Sequence, residues 1–172
     1  MIGFQTSRKS GFSIIEVLIV VAIASILTAI AIPAFNVFIG NTRTNTITNE
    51  FVSALNLARS EAIKRGQDVS ICPRKSDGTE CDETRDWGLG WLVVVDADNT
   101  RIRLHEGLGA RQDTFVGVEE FENAKLTFDR NGRLKNPSSI DEDDDYFRVE
   151  NMGRTMCIFI NNAGRVRTSR TC

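Results

Sequence analysis

The chain has 172 residues, 41% of them hydrophobic, enough for one compact domain and one long appendage. Its formal net charge of −2 excludes the global basic field that marks many nucleic-acid-binding proteins. That average conceals strong charge segregation between segments.

Residues 1–11 are polar and carry Arg8 and Lys9 with no acid. From Phe12 to Ala34 the sequence is almost wholly apolar, FSIIEVLIVVAIASILTAIAIPA. As a helix, about 21 such residues at ~1.5 Å each span the ~30 Å hydrocarbon core of a bilayer. The basic residues before the run hold that end in the cytoplasm. The run is longer than the ~7–15 residues of an ordinary signal-peptide core. A simple membrane anchor is the plainer alternative, and Glu16 argues against it. A carboxylate within hydrocarbon costs about 2.5 kcal/mol or more and is functional by default, with a partner.

Pro33 removes a helical hydrogen bond and kinks or interrupts the helix, which resumes afterwards. Ile47, Phe51, Leu55, Ala58 and Ala62 recur at helical spacing as one apolar stripe. Asn41, Thr42, Arg43, Asn45, Thr48 and Asn49 make the intervening turns polar, and Lys64-Arg65-Gly66 reads as a helix C-terminus. One helix from about Ser13 to Arg65, about 75–80 Å long, is predicted.

From Val69 onward short β-like runs alternate with turn residues. Val69–Cys72, Trp91–Val95, Arg101–His105, Val116–Val118, Lys125–Phe128, Tyr146–Glu150 and Met156–Ile160 read as strands. Asp96–Asn99, Asn131-Gly132 and Asn162-Ala163-Gly164 read as turns. One long helix followed by antiparallel strands predicts an α+β fold, with the helix packed on an antiparallel sheet.

Gly11-Phe12-Ser13-Ile14-Ile15-Glu16, after a short basic segment, resembles the G-F-T-L-I-E signal of type IV prepilins. The resemblance implies cleavage between Gly11 and Phe12 by a prepilin peptidase and methylation of the new amino terminus at Phe12. It also implies that Glu16 pairs with the amino terminus of a neighbouring subunit, and each of those charges would otherwise stand alone in an apolar environment. Leu57–Gly66 with Val69–Cys72, and Trp87–Asp96 (WGLGWLVVVD), resemble the FimT/FimU/GspH group of minor pilins and pseudopilins. The Phe128–Gly132 segment and the terminal strand-Gly-Arg pattern also fit that group.

The divisions expected on this basis are a leader at 1–11, a membrane and filament-core helix at 12–35, an amphipathic second half at 36–66, and a β-rich domain at 67–172. Expected partners are other pilin subunits, the inner membrane and the prepilin peptidase. The expected location is a single-pass inner-membrane protein with a periplasmic domain, then the pilus or cell surface of a Gram-negative bacterium. The insert at Lys75–Asp86 and the acidic run at Asp141–Asp145 correspond to no recognised motif.

The four cysteines, Cys72, Cys81, Cys157 and Cys172, fall outside the cytoplasm in this topology, where disulfides persist. Sequence permits three pairings, and Cys72–Cys81 with Cys157–Cys172 is favoured because each closes a short local loop. Zinc is disfavoured, because no C-x-x-C occurs and His105 is the only histidine.

From Arg148 to Cys172 five arginines stand against one glutamate, a net charge of +4. Arg165 and Arg167 are spaced to share one side of a strand, with Thr168, Ser169 and Arg170 nearby. Gly164-Arg165-Val166-Arg167 resembles the G-R-x-R DNA-binding motif of FimT-type minor pilins of competence pili. That resemblance implies sequence-independent contact with double-stranded DNA, and parallel guanidinium groups suit phosphate oxygens. The alternative is a charged edge strand that prevents aggregation. Asp141–Asp145 would repel phosphate and is expected as a solvated loop. A calcium loop is the other reading, without EF-hand spacing.

No enzymatic motif stands. Gly88-Leu89-Gly90 lacks the third glycine and following helix of a dinucleotide loop, and neither a Walker A nor a G-x-S-x-G sequence occurs. Trp87 and Trp91 read as core and turn packing, and His105 as a surface or partly packed residue. The expected function is a non-enzymatic, cofactor-free minor pilin that binds DNA and assists uptake in natural transformation. The alternative is a structural minor pilin or type II secretion pseudopilin that primes filament assembly without touching DNA.

Overall fold

The apolar run and the amphipathic stripe after it form one helix, α1 (Ile14–Arg65), in the computed structural model. The structure describes residues 12–78, 80–82, 87–108, 113–118, 121, 125–136 and 145–172. Gly11 with the rest of residues 1–11, residues 79 and 83–86 of the insert, and residues 141–144 of the acidic run lie outside the described residues. The chain divides into two units, one ending at Phe38 and one running from Ile39 to Cys172.

In the first unit every residue from Phe12 to Phe38 is exposed, and the helix is long and apolar enough to cross a membrane. Glu16 is its one charged residue between those limits. Its hydroxyls are satisfied internally: Ser25 donates to the Val21 carbonyl at 2.7 Å and Thr28 to the Ala24 carbonyl at 2.9 Å. Lipid offers no such partners, so this back-bonding lets polar residues sit in an apolar span. Pro33 lies inside the helix without ending it.

The second unit begins with the remainder of α1, whose stripe Ile47, Phe51, Leu55, Ala58 and Ala62 is buried as the periodicity predicts. Phe51 sits amid an aromatic cluster, edge-on to Trp87 and Trp91 at 5.2 Å each, Phe115 at 4.7 Å and Phe147 at 4.8 Å. The helix ends where predicted, with the Gly66 N–H bonded to the Ala62 carbonyl at 2.9 Å.

Nine strands follow: β1 (Val69–Pro73), β2 (Gly90–Val95), β3 (Arg101–Glu106), β4 (Asp113–Gly117), β5 (Leu126–Phe128), β6 (Leu134–Asn136), β7 (Tyr146–Asn151), β8 (Arg154–Ile160) and β9 (Val166–Ser169), among the described residues. They form two antiparallel sheets rather than the single one expected, in the orders β3-β2-β1-β5-β6 and β4-β7-β8-β9. The split is a matter of long-range pairing: β1 pairs with β2 on one side and β5 on the other, while β4 pairs with β7. One core draws residues from α1 and from both sheets. In the second sheet Phe147, Val149, Ile158 and Ile160 join that core, so the residues alternating with them, including Arg148, Phe159 and Arg167, face away from it.

Two disulfides are present, Cys72–Cys81 and Cys157–Cys172, the two local pairings favoured from sequence. The second closes a separation of 15 residues. A loop of that length stabilises by about 3 kcal/mol, chiefly by restricting the unfolded chain.

Candidate nucleic-acid interface

Strands β8 and β9 pair with Phe159 opposite Arg167 and Ile160 opposite Val166. The turn between them is made by its sequence. Asn161 donates its N–H to the Arg165 carbonyl at 3.0 Å, and its side-chain Oδ1 accepts the Arg165 N–H at 2.9 Å. The Gly164 N–H closes on the Asn161 carbonyl at 2.7 Å. An asparagine side chain mimicking a backbone acceptor is what favours this residue at turn entries. Gly164 adopts φ +73°, and a Cβ there would lie 2.8 Å from the Gly132 carbonyl oxygen and 3.2 Å from the Phe128 ring. Only glycine fits both the conformation and the space.

The turn is also tied to the helix, because Arg59 donates from Nη1 to the Gly164 carbonyl at 3.2 Å. Beyond it, Arg165 and Arg167 are exposed and line one shallow cavity of about 270 Å³ together with Phe159 and Asn161. The Arg167 guanidinium carbon sits 4.0 Å over the centre of the Phe159 ring, and Phe159 itself packs on Tyr146 at 5.4 Å. The ring attracts the cation through its π face and orients it. The Cys157–Cys172 bond anchors the chain end to β8 beside this hairpin.

The structure thus brings Arg165 and Arg167 together and sets two other expected residues apart. Gly164 is buried and contributes a turn rather than a contact. Arg170 lies past the other end of β9, about 13 Å along a strand of this length. It lines a separate groove of about 260 Å³ with Arg154 and with Asn41, Thr44 and Asn45 of α1. Spacing in sequence suggested one cluster, but a strand separates its ends. Arg59 was missed from sequence. Its only signal was an arginine immediately after Ala58 and three residues before Ala62 on the buried stripe.

Other expected features have structural roles. Trp87 and Trp91 are fully buried in the aromatic cluster. His105 stacks on Trp91 with centroids 3.8 Å apart, and its Nε2 lies 3.0 Å from a Glu50 carboxylate oxygen. Asp145, the one described residue of the acidic run, is buried rather than solvated, because it leads directly into the packed strand β7. Among the described residues no cluster of three His, Cys, Asp or Glu side chains could hold a metal.

An apolar N-terminal helical unit, continued by a helix that packs on antiparallel sheets, defines the type IV pilin class of structural proteins. The chain belongs to the GspH family: the model described as type II transport protein GspH matches residues 48–164, and the prokaryotic N-terminal methylation motif matches residues 6–32. It is therefore a minor pilin or pseudopilin of the FimT/FimU/GspH kind, and not an enzyme.

Two crystal forms of the type IV minor pilin FimU from Pseudomonas aeruginosa share its fold. One superposes with TM-score 0.59 and 25% identity over 75% of this chain and 90% of that one. The other gives TM-score 0.55 and 26% identity over 73% and 91%. Two curated relatives from Pseudomonas aeruginosa, each described as a fimbrial protein, are 43% identical over 88 residues, which is 51% of this chain and 53% of theirs. The chain spans about half the length of the curated relatives it matches. The GspH match ends at Gly164, so Arg165 and Arg167 lie just beyond it.

Proposed function

We propose that this minor pilin binds double-stranded DNA without sequence preference through Arg165 and Arg167 and assists DNA uptake in natural transformation. The observation that carries the reading is the pair of exposed arginines displayed from one braced turn. Arginine offers planar paired donors that match phosphate oxygens, and such contacts position a protein on DNA without reading bases. Arg170, at the far end of β9, falls outside the contact set.

In the same reading residues 1–11 are a leader removed by a prepilin peptidase between Gly11 and Phe12, with Phe12 then N-methylated. Residues 12–35 occupy the inner membrane and later the filament core, and residues 36–66 carry the domain at 67–172 outside the cytoplasm of a Gram-negative cell. Glu16 pairs with the amino terminus of an adjacent subunit, which removes the cost of two isolated charges in an apolar setting. Mass spectrometry of protein recovered from pili will find a chain starting at methylated Phe12. An intact Met1 start in assembled filaments overturns this processing.

The DNA reading is tested by salt titration with the full chain in a neutral detergent and a labelled mixed-sequence duplex. Binding in the ~10⁻⁴–10⁻⁶ M range at physiological salt is expected, with a log–log salt slope of about −0.9 per phosphate contacted. Arg165→Ala/Arg167→Ala will make that slope shallower by about 2. The likeness to FimU and the GspH match favour a second reading, a filament-priming pilin or type II secretion pseudopilin that does not touch DNA. Absence of binding at low salt, or a slope unchanged by the double substitution, decides for that alternative.

A further inference from the structure

A second turn lies against the β8–β9 turn and is built in the same way. Between β5 and β6, the Asp129 carboxylate accepts the backbone N–H groups of Asn131 and Arg133 at 2.8 and 2.9 Å. The Gly132 N–H closes on the Asp129 carbonyl at 2.8 Å. The two turns belong to different sheets, yet they are in direct contact. The Leu134 N–H donates to the Asn162 carbonyl at 3.1 Å, and the Gly132 carbonyl fills the space where a side chain at Gly164 would project. Arg59 of α1 lies beside both turns. Arg59 hydrogen-bonds the Gly164 carbonyl, and its Cγ lies 3.2 Å from the position a Cβ would take at Gly132.

This second turn carries Arg130 and Arg133, both exposed. Neighbouring basic residues are partly offset by acids. Lys135 pairs with Asp68 at 2.6 Å, and Glu61 pairs with Arg65 at 2.7 Å and Lys64 at 3.6 Å. The hydrogen bond from Arg65 holds the Glu61 carboxyl below its usual range, so it stays ionised opposite those cations. Among the described residues, exposed arginines thus stand on or beside both turns, Arg130 and Arg133 on one and Arg165 and Arg167 on the other, and Asp129 is the one acid within the turns.

The geometry points to a composite phosphate-binding surface, in which Arg130 and Arg133 grip the DNA backbone alongside Arg165 and Arg167. This rests on the reading of the β8–β9 turn as a DNA contact and extends it to a second sheet. Two turns locked together by backbone contact hold their guanidinium groups at a set separation, so little loop ordering is lost on binding. Contacts of this kind release counterions additively, one phosphate at a time.

The test compares four full-length proteins in neutral detergent by fluorescence anisotropy of a labelled mixed-sequence duplex across a salt series. They are the unsubstituted chain, Arg165→Ala/Arg167→Ala, Arg130→Ala/Arg133→Ala, and Arg101→Ala/Arg103→Ala. The last pair lies on β3, the opposite edge of the five-stranded sheet from β6, and controls for lost net charge. Removing Arg130 and Arg133 is expected to make the salt slope shallower by about 1 to 2. The β3 pair is expected to leave it unchanged, and circular dichroism to be the same for all four. If Arg165 and Arg167 matter but Arg130 and Arg133 do not, or if the β3 pair has an equal effect, the composite surface is overturned and the hairpin reading survives. If the unsubstituted chain does not bind, both fall together.

Discussion

Phe51→Ala will lower the unfolding free energy by about 3–5 kcal/mol, the usual cost of deleting a buried aromatic ring. Phe51 has no exposed surface and meets four aromatic rings edge-on, from β2, β4, β7 and the turn at Trp87–Leu89. It therefore joins the helix to both sheets at one point. Truncation leaves a cavity whose walls are rings anchored in three separate strands, and such walls close poorly around a void. Because Trp87 and Trp91 pack directly on Phe51, denaturant unfolding of the full chain can be followed by tryptophan fluorescence. A loss below about 1 kcal/mol would mean that the site collapses freely and that the ring is not the junction described.

Gly164→Ala will destabilise the domain by about 2–4 kcal/mol and weaken DNA binding although it changes no charge. Two costs combine. A side chain at φ +73° costs roughly 1–2 kcal/mol, and the new methyl group would stand 2.8 Å from the Gly132 carbonyl, a backbone atom that cannot simply swing aside. Gly153→Ala separates the two costs, since Gly153 has the same φ of +73° with nothing within 4 Å of its Cβ position. It is expected to lose only the conformational part, about 1–2 kcal/mol, and to leave the salt slope alone. Equal stability losses for the two substitutions would show that the close approach of the two turns contributes nothing. A shifted stability with an unaltered salt slope for Gly164→Ala would separate the turn from the proposed contact.

These expectations depend unequally on sequence and on structure. Where the signal was local, sequence was enough. The extent of α1, its buried stripe from Ile47 to Ala62, most of the strands and the turns at Asn131-Gly132 and Asn162–Gly164 all follow from periodicity or residue type within a short window. The same holds for the two disulfides, each of which closes a short loop. The shortest strand partners were illegible because three residues such as Leu134–Asn136 carry no readable alternation. β4 begins at Asp113, earlier than Val116, because that aspartate is held by Arg43 and Asn151, residues far away in sequence.

The sequence by itself determined the layout of the chain: an apolar helical span with one acid at Glu16, an amphipathic continuation, and a β-rich domain with a basic C-terminal segment. These are properties of local composition, which elementary hydrophobic and helical physics convert directly into structure. Only the tertiary structure decided that the strands divide into two sheets. It alone also separated Arg170 from Arg165 and Arg167, and set the Gly132 and Gly164 turns against each other under Arg59. The reason is that backbone pairing is generic. Any exposed strand edge can accept many partners, and the choice among them falls to burial of the shared core around Phe51, which no short stretch of sequence contains.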